Sequence, residues 1–270
     1  MRRKTGMYIS IGTIVILIVI IFILVYNYFG QGRNEIEIAN SFIQEMQNED
    51  IIDKSPEEIK FDVKEKTGTE NEEGIYSLVS KDYRVDLDKN KNIVSFVHNT
   101  KNSNKINISP EKAKELAELY VKELCEGDYK VEGINKEEKN PYYSIVFSKY
   151  EDGYPYYSEK LLININKENG KLQGYMNKTA TLEHKKVDIN ISKEEAEKSA
   201  LDIFNKLYSK GKIESDTYLS FYNKDTGNKS ELCYVINISN KEESYMYFVS
   251  ANNGDVINSI SNIIEETKVK

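Results

Sequence analysis

Histidine and cysteine are the side chains most often recruited as bases, nucleophiles and metal ligands, and this chain has two of each: His98, His184, Cys125 and Cys233. Neither histidine lies in an H-E-x-x-H pattern or beside a second histidine that could complete a three-ligand zinc site. His98 follows the apolar run Ile93 to Val97, and His184 stands at a boundary between segments, so each reads as a polar residue at a strand end rather than a base. The cysteines are too few for a disulfide scaffold and too far apart for a C-x-x-C motif. Each reads as a small core or edge residue, with one bridge between them left open. No G-x-S-x-G or S-x-x-K pattern occurs. Asp86, Asp88, Asn90 and Asn92 alternate as a calcium loop does, with Ile93 in place, yet Lys91 replaces the required Gly and Val97 the bidentate Glu. That stretch reads as a hairpin turn. Catalytic, cofactor-binding and metal-binding residues are therefore assigned to none, and the chain is expected not to be an enzyme.

Tyrosine remains. The tract Pro141 to Tyr157 (PYYSIVFSKYEDGYPYY) is crowded with it. Tyr is a good strand former whose amphipathic ring suits a half-buried sheet face. The loop Glu151 to Tyr157 also combines expected exposure with aromatic area, the composition of interface hot spots. Tyr154, Tyr156 and Tyr157 are the residues expected to bind a partner, and replacing all three with Ser is expected to leave the fold intact.

The elements that would position these residues follow from periodicity. Leu161 to Lys178 reads as strand, Asn169-Gly170 turn and strand, and Tyr247 to Ile260 repeats the pattern around Asn253-Gly254. A fainter copy, Tyr83 to Val97, has Lys91-Asn92 at the turn. Asn-Gly between alternating runs predicts a type I′ hairpin with φ > 0 at both central residues. Helices precede each copy. Ile36, Ala39, Phe42, Ile43 and Met46 share one face. Ser109 and Pro110 start a stripe of Ala113, Leu116, Ala117, Tyr120, Val121 and Leu124. Ser192 and Glu195 form a capping box before Ala196, Ala200, Ile203, Phe204 and Leu207. Helix starts and turns recur at nearly the same offset, which marks an internal repeat. The organisation expected is a tail (1–6), an anchor (7–29), a degenerate unit (34–98) and two clearer units (107–183 and 190–265). Each unit is an α+β module with one helix on a small antiparallel sheet.

Ile9 to Phe29 carries no charge and would span about 31 Å as a helix, enough to cross a bilayer. Arg2, Arg3 and Lys4 precede it, which by the positive-inside rule leaves the N-terminus cytoplasmic and the bulk outside. No small-x-small site follows, so an uncleaved anchor in the lipid bilayer is expected rather than a signal peptide. The net charge of the whole chain is -7. That field repels phosphate backbones and argues against nucleic-acid binding.

Ile-Ser-x-Glu-x-Ala at Ile108 to Ala113 and Ile191 to Ala196, followed by alternating strands and an Asn-Gly-x-aliphatic turn, resembles the PepSY domain. Gly153-Tyr154-Pro155 looks like the G-x-P element of that superfamily, and the tract from Tyr154 to Ser192 is similar to the PepSY repeats of YpeB-type spore-germination proteins. The resemblance covers Ile108 to Ile260 well and Glu35 to Val97 poorly. It implies a non-catalytic module that binds and restrains or stabilises a cell-envelope hydrolase or other envelope protein, without a cofactor. A structural or sensory envelope ectodomain is the alternative.

Overall fold

The computed structural model describes residues 33–55, 59–66, 75–99, 105–177, 183–224 and 229–262. The protein is mixed α+β, with three helices and 13 strands among the described residues. Two compact units divide it, Met1–Asn99 and Thr100–Lys270. The apolar span Ile9 to Phe29 lies outside the described residues, and no described helix is long and apolar enough to cross a membrane.

In the first unit, α1 (Arg33–Asn48) precedes the antiparallel meander β1 (Asp62–Lys66), β2 (Ile75–Val79), β3 (Tyr83–Leu87) and β4 (Ile93–His98). Ala39, Ile43 and Met46 are fully buried, the period expected of a helix with one apolar face. Phe42 meets the edge of Phe96 at 5.8 Å. Tyr83, Val85 and Leu87 point inward along β3, the period-two alternation of a half-buried strand. At the β3–β4 turn the Asp88 carboxylate accepts from the Asn90 and Asn92 amides at 2.9 and 2.8 Å. That oxygen is engaged in holding a hairpin. Lys91 takes φ 67° there. Its ammonium lies 3.1 Å from buried Glu35 in the first turn of α1.

The second unit runs α2 (Pro110–Leu124), β5 (Asp128–Asn135), β6 (Tyr142–Glu151), β7 (Tyr154–Asn166), β8 (Leu172–Asn177), α3 (Lys193–Leu207), β9 (Lys212–Ile213), β10 (Tyr218–Tyr222), β11 (Glu231–Ser239), β12 (Ser244–Ser250) and β13 (Val256–Ser261). Two helix–sheet repeats are built to one plan. Ser109 and Ser192 are N-caps, each accepting at 3.2 Å from the amide three residues on, and Glu195 completes a capping box that Lys112 cannot. Asn107 and Ile108 donate their amides to the Lys167 carbonyl at 2.9 and 3.0 Å, and Asn190 and Ile191 donate theirs to Ala251 at 2.9 and 3.3 Å. Tyr143 donates to the Ile108 carbonyl at 3.1 Å, as Tyr234 does to Ile191 at 3.0 Å. These bonds tie each helix start to the hairpin loop of its own repeat. Both isoleucine side chains lie over the loop glycine, Gly170 or Gly254.

Four expectations are corrected. The Asn-Gly loops are not two-residue type I′ turns: each spans four residues, closed by Asn166 with Lys171 and by Ser250 with Asp255, and only Gly170 (φ 76°) and Gly254 (φ 79°) are left-handed. The amides of Gly170 and Gly254 donate to the carbonyls four residues back, at 3.0 Å, so the loop makes one helical turn before it reverses. A two-residue turn with both φ positive does occur, at Asp152 (50°) and Gly153 (86°), joining β6 to β7 inside the tract read as an exposed loop. On α3 the buried stripe is Ala196, Ala200 and Phe204, while Ile203 and Leu207 lie at its rim, 36% and 66% exposed. Finally, the two repeats do not have separate antiparallel sheets. β6 covers one edge of the long strand β7, β8 covers the C-terminal half of the other, and β10 pairs parallel with what remains, Phe221 opposite Tyr156.

Candidate functional site

The seam where β10 meets β7 gathers the side chains singled out above. Successive residues of a strand point to opposite faces, and here that separates the three tyrosines. Tyr156 is 0% exposed and belongs to the core beneath α3, with Ala196, Phe204 and Phe221. Its ring is 5.1 Å from Phe221. Tyr154 is half-buried against the same core, 6.3 Å from Phe221. Tyr157 points to the helix-free face and packs on Phe248 and Tyr222 at 4.8 and 6.2 Å. The exposure expected of Tyr156 is therefore wrong, because β10 closes over the strand edge that carries it.

On the helix side the seam is fastened by a polar clasp. Glu151 accepts the Tyr156 hydroxyl at 2.7 Å and the Lys149 ammonium at 2.9 Å, and His184 Nε2 lies 3.3 Å away. The His184 ring lies tilted against Phe221 at 4.4 Å, while its Nδ1 lies 2.7 Å from the Lys185 carbonyl. Burial raises the Glu151 pKa, but the bonds from Tyr156 and Lys149 and the nearby His184 outweigh it, and the carboxyl titrates below its usual range. Sequence reading placed His184 at a strand end. The structure puts it in a single parallel bridge to Ser230, between the repeats.

On the opposite face, β5, β6, β7 and β10 enclose a cleft of about 570 Å³. At its base Glu132 Oε2 takes the Ser148 hydroxyl at 2.8 Å and the Lys160 ammonium at 2.9 Å. Lys130 lies 4.0 Å over the Tyr150 ring. Tyr157 and Tyr218 form the other aromatic walls. Sequence reading missed Glu132 because β5, with its glycine and alternating charges, did not register as a strand.

Among the described residues these groups hold one another in ion pairs and hydrogen bonds. Glu132, Glu151 and Glu231 are each ion-paired to a lysine at 2.6 to 2.9 Å. Burial pushes the Cys125 and Cys233 thiols up to about 11 and about 12, which leaves them protonated at neutral pH, and both are free rather than bridged. Among the described residues no group of three His, Cys, Asp or Glu side chains could hold a metal ion. His98, in the first unit, stacks on Tyr83 at 4.7 Å with Nδ1 buried and unpartnered among the described residues. Burial lowers its pKa, against the opposing pull of Asp53 and Asp82. The unfolded chain then binds the proton more readily, so His98 should make the unit lose stability as pH falls from about 7 to about 5. His98→Phe keeps the stacking and cannot titrate. Its denaturation midpoint should fall less over that interval than the wild type's, and an identical fall would show that His98 plays no part.

The sequence profile of the family described as the YcdB, YcdC repeated domain matches residues 45–179, half of the chain. The chain belongs to that family. In this YcdB/YcdC-repeat protein, residues 191–260 also match the PepSY family, described as peptidase propeptide and YPEB domain, so the last repeat is a PepSY domain. Among solved structures it is similar to the Bacillus megaterium YpeB C-terminal domain. The TM-score is 0.51 and the identity 20%, over 84% of this chain and 95% of that one. At that identity the likeness is one of fold. No curated protein matches the chain. Neither matching family is described by a catalytic activity.

Proposed function

We propose that this protein is a non-catalytic, membrane-anchored PepSY-repeat protein whose extracytoplasmic part binds a secreted or cell-envelope hydrolase, a protease or a peptidoglycan hydrolase, and restrains or stabilises it. The observation that carries this reading is the peptidase-propeptide and YPEB match over 191–260. It is supported by a seam at which Glu151, held by Tyr156 and Lys149, lies against His184 and so joins the repeats. The uncharged apolar run Ile9 to Phe29 behind Arg2, Arg3 and Lys4 supports the anchor and its orientation.

A sheet edge gives such a protein its physical means, since unpaired backbone groups accept an extended segment of a partner. Among the described residues β5 and β13 each have one strand neighbour. β5 is guarded by charges and a bulge at Val131 to Gly133, whereas β13 (VINSIS) has neither charge nor proline. The test is proximity labelling from the full-length protein in its native envelope, with hydrolase activity and abundance compared with and without the gene. The expected result is a labelled hydrolase whose activity or level changes on deletion, and removal of the large domain when protease is added to intact cells. If no hydrolase is labelled and none changes, the structural or sensory reading replaces this one; protection from protease overturns the orientation.

A further inference from the structure

The cleft on the helix-free face shares Pro155, Tyr156, Tyr157 and Ser220 with the contacts that fasten the repeats, but its remaining lining is not used in them. It brings together three aromatic walls, Tyr150, Tyr157 and Tyr218, with Glu132 and the ammonium groups of Lys130 and Lys160 at the base. Glu132 places both its donors, Ser148 and Lys160, on Oε2, so Oε1 has no hydrogen-bond partner among the described residues. Neither the Tyr157 nor the Tyr218 hydroxyl has one either. Burial and the neighbouring Glu132 raise the pKa of both tyrosines, which keeps the hydroxyls protonated and able both to donate and to accept. Tyr218 is 44% exposed, so a ligand can reach it.

The charges in this cleft already answer one another. Glu132 is paired with Lys160 at 2.9 Å, and Lys130 is held over Tyr150 and 3.6 Å from Asp128. A cation would meet two lysines and an anion would meet Glu132, so neither gains from the local field. A ligand rich in hydroxyls fits differently. Each hydroxyl can donate to Glu132 Oε1 or a tyrosine oxygen and accept from Lys130, in charge-assisted bonds that need no net charge on the ligand. Lys160 spends its three donors on Glu132, Ser148 and the Tyr156 carbonyl and holds the base in place. The apolar faces of a sugar ring can lie on the tyrosine walls, which present flat area at low conformational cost. We propose that this cleft binds an uncharged glycan chain.

The experiment is calorimetric titration of the full-length protein with chitotetraose and cellotetraose, repeated for Tyr218→Ala and Glu132→Gln, with poly-L-lysine and poly-L-glutamate as charged polypeptide probes. Saturable binding of at least one sugar is expected, insensitive to added salt and weakened about tenfold by Tyr218→Ala. Tyr218 is at the rim, so that variant should fold, and circular dichroism checks it. Glu132→Gln keeps the shape but removes the ionised acceptor, and should weaken the sugar by a similar factor. Failure of both sugars to bind, or sugar binding that Tyr218→Ala leaves unchanged, overturns the proposal. So does binding at the cleft of either charged polypeptide in place of the sugars.

Discussion

Replacing Tyr156 with alanine should destabilise the Thr100–Lys270 unit by about 3–5 kcal/mol, the range for truncating a buried aromatic side chain. The ring is fully buried among residues of the last repeat although it is carried by the strand of the preceding one. Its loss opens a cavity at the parallel pairing of β7 with β10, and removes the 2.7 Å hydroxyl donor to Glu151. Tyr156→Phe separates the two effects. It keeps the ring on Phe221 and should cost about 1.5–3 kcal/mol, the range for a hydrogen bond to a charged group. Urea denaturation of both variants, compared with Tyr157→Ala on the opposite face, measures this. A Tyr156→Ala variant within about 1 kcal/mol of wild type would mean that the seam contributes little to stability. The triple Tyr154, Tyr156, Tyr157 replacement should unfold the seam and so cannot report on partner binding.

The second large effect is expected at Gly170. Its φ of 76° is unfavourable for any side chain, and a Cβ there would stand 2.8 Å from Leu116 Cδ1, with Ile108 Cδ1 at 3.5 Å. Gly170→Ala should therefore cost about 2–3 kcal/mol, combining left-handed backbone strain with the displacement of packed side chains. Gly254 occupies the same place in the last repeat with φ 79°, but its nearest neighbour would be Ile191 Cδ1 at 3.4 Å. Gly254→Ala should cost only the backbone part, about 1–2 kcal/mol. Equal losses at the two sites would show that backbone strain alone decides. A larger loss at Gly254 would contradict the packing argument.

The pair also gives the Ile-Ser start of each helix a physical meaning. The isoleucine lies on the loop glycine, its amide bonds the loop carbonyl and the serine caps the helix, so three successive roles fix helix to hairpin. In the first unit the same junction is made with other chemistry. Lys91 is left-handed without being glycine, and an ion pair to Glu35 in the first turn of α1 stands where the isoleucine contact does in the repeats. This explains why the copy at Tyr83 to Val97 is faint in sequence.

What the amino-acid sequence determined by itself was whatever depends on neighbours along the chain. Periodicity located the helices through Ala39, Ile43 and Met46, through Ala113, Ala117 and Val121, and through Ala196, Ala200 and Phe204. Capping chemistry placed the helix starts at Ser109 and Ser192, and alternation placed the hairpins. The exceptions were also local: β5 was hidden by its glycine and charges, and the turn chemistry of Asn169-Gly170 depended on Asn166, whose carbonyl accepts the Gly170 amide and whose side chain accepts the Glu168 amide at 2.8 Å. Only the tertiary structure decided which side chains meet across the seam. A single register, Phe221 opposite Tyr156, buries one tyrosine and turns the next toward the cleft. It also brings His184 to Glu151 and Tyr218 into the cleft above Glu132, pairs distant in sequence. Nothing local specifies that pairing, because the parallel contact of β7 with β10 joins strands far apart in sequence, and the burial of Tyr156 and the packing of Tyr157 follow from it.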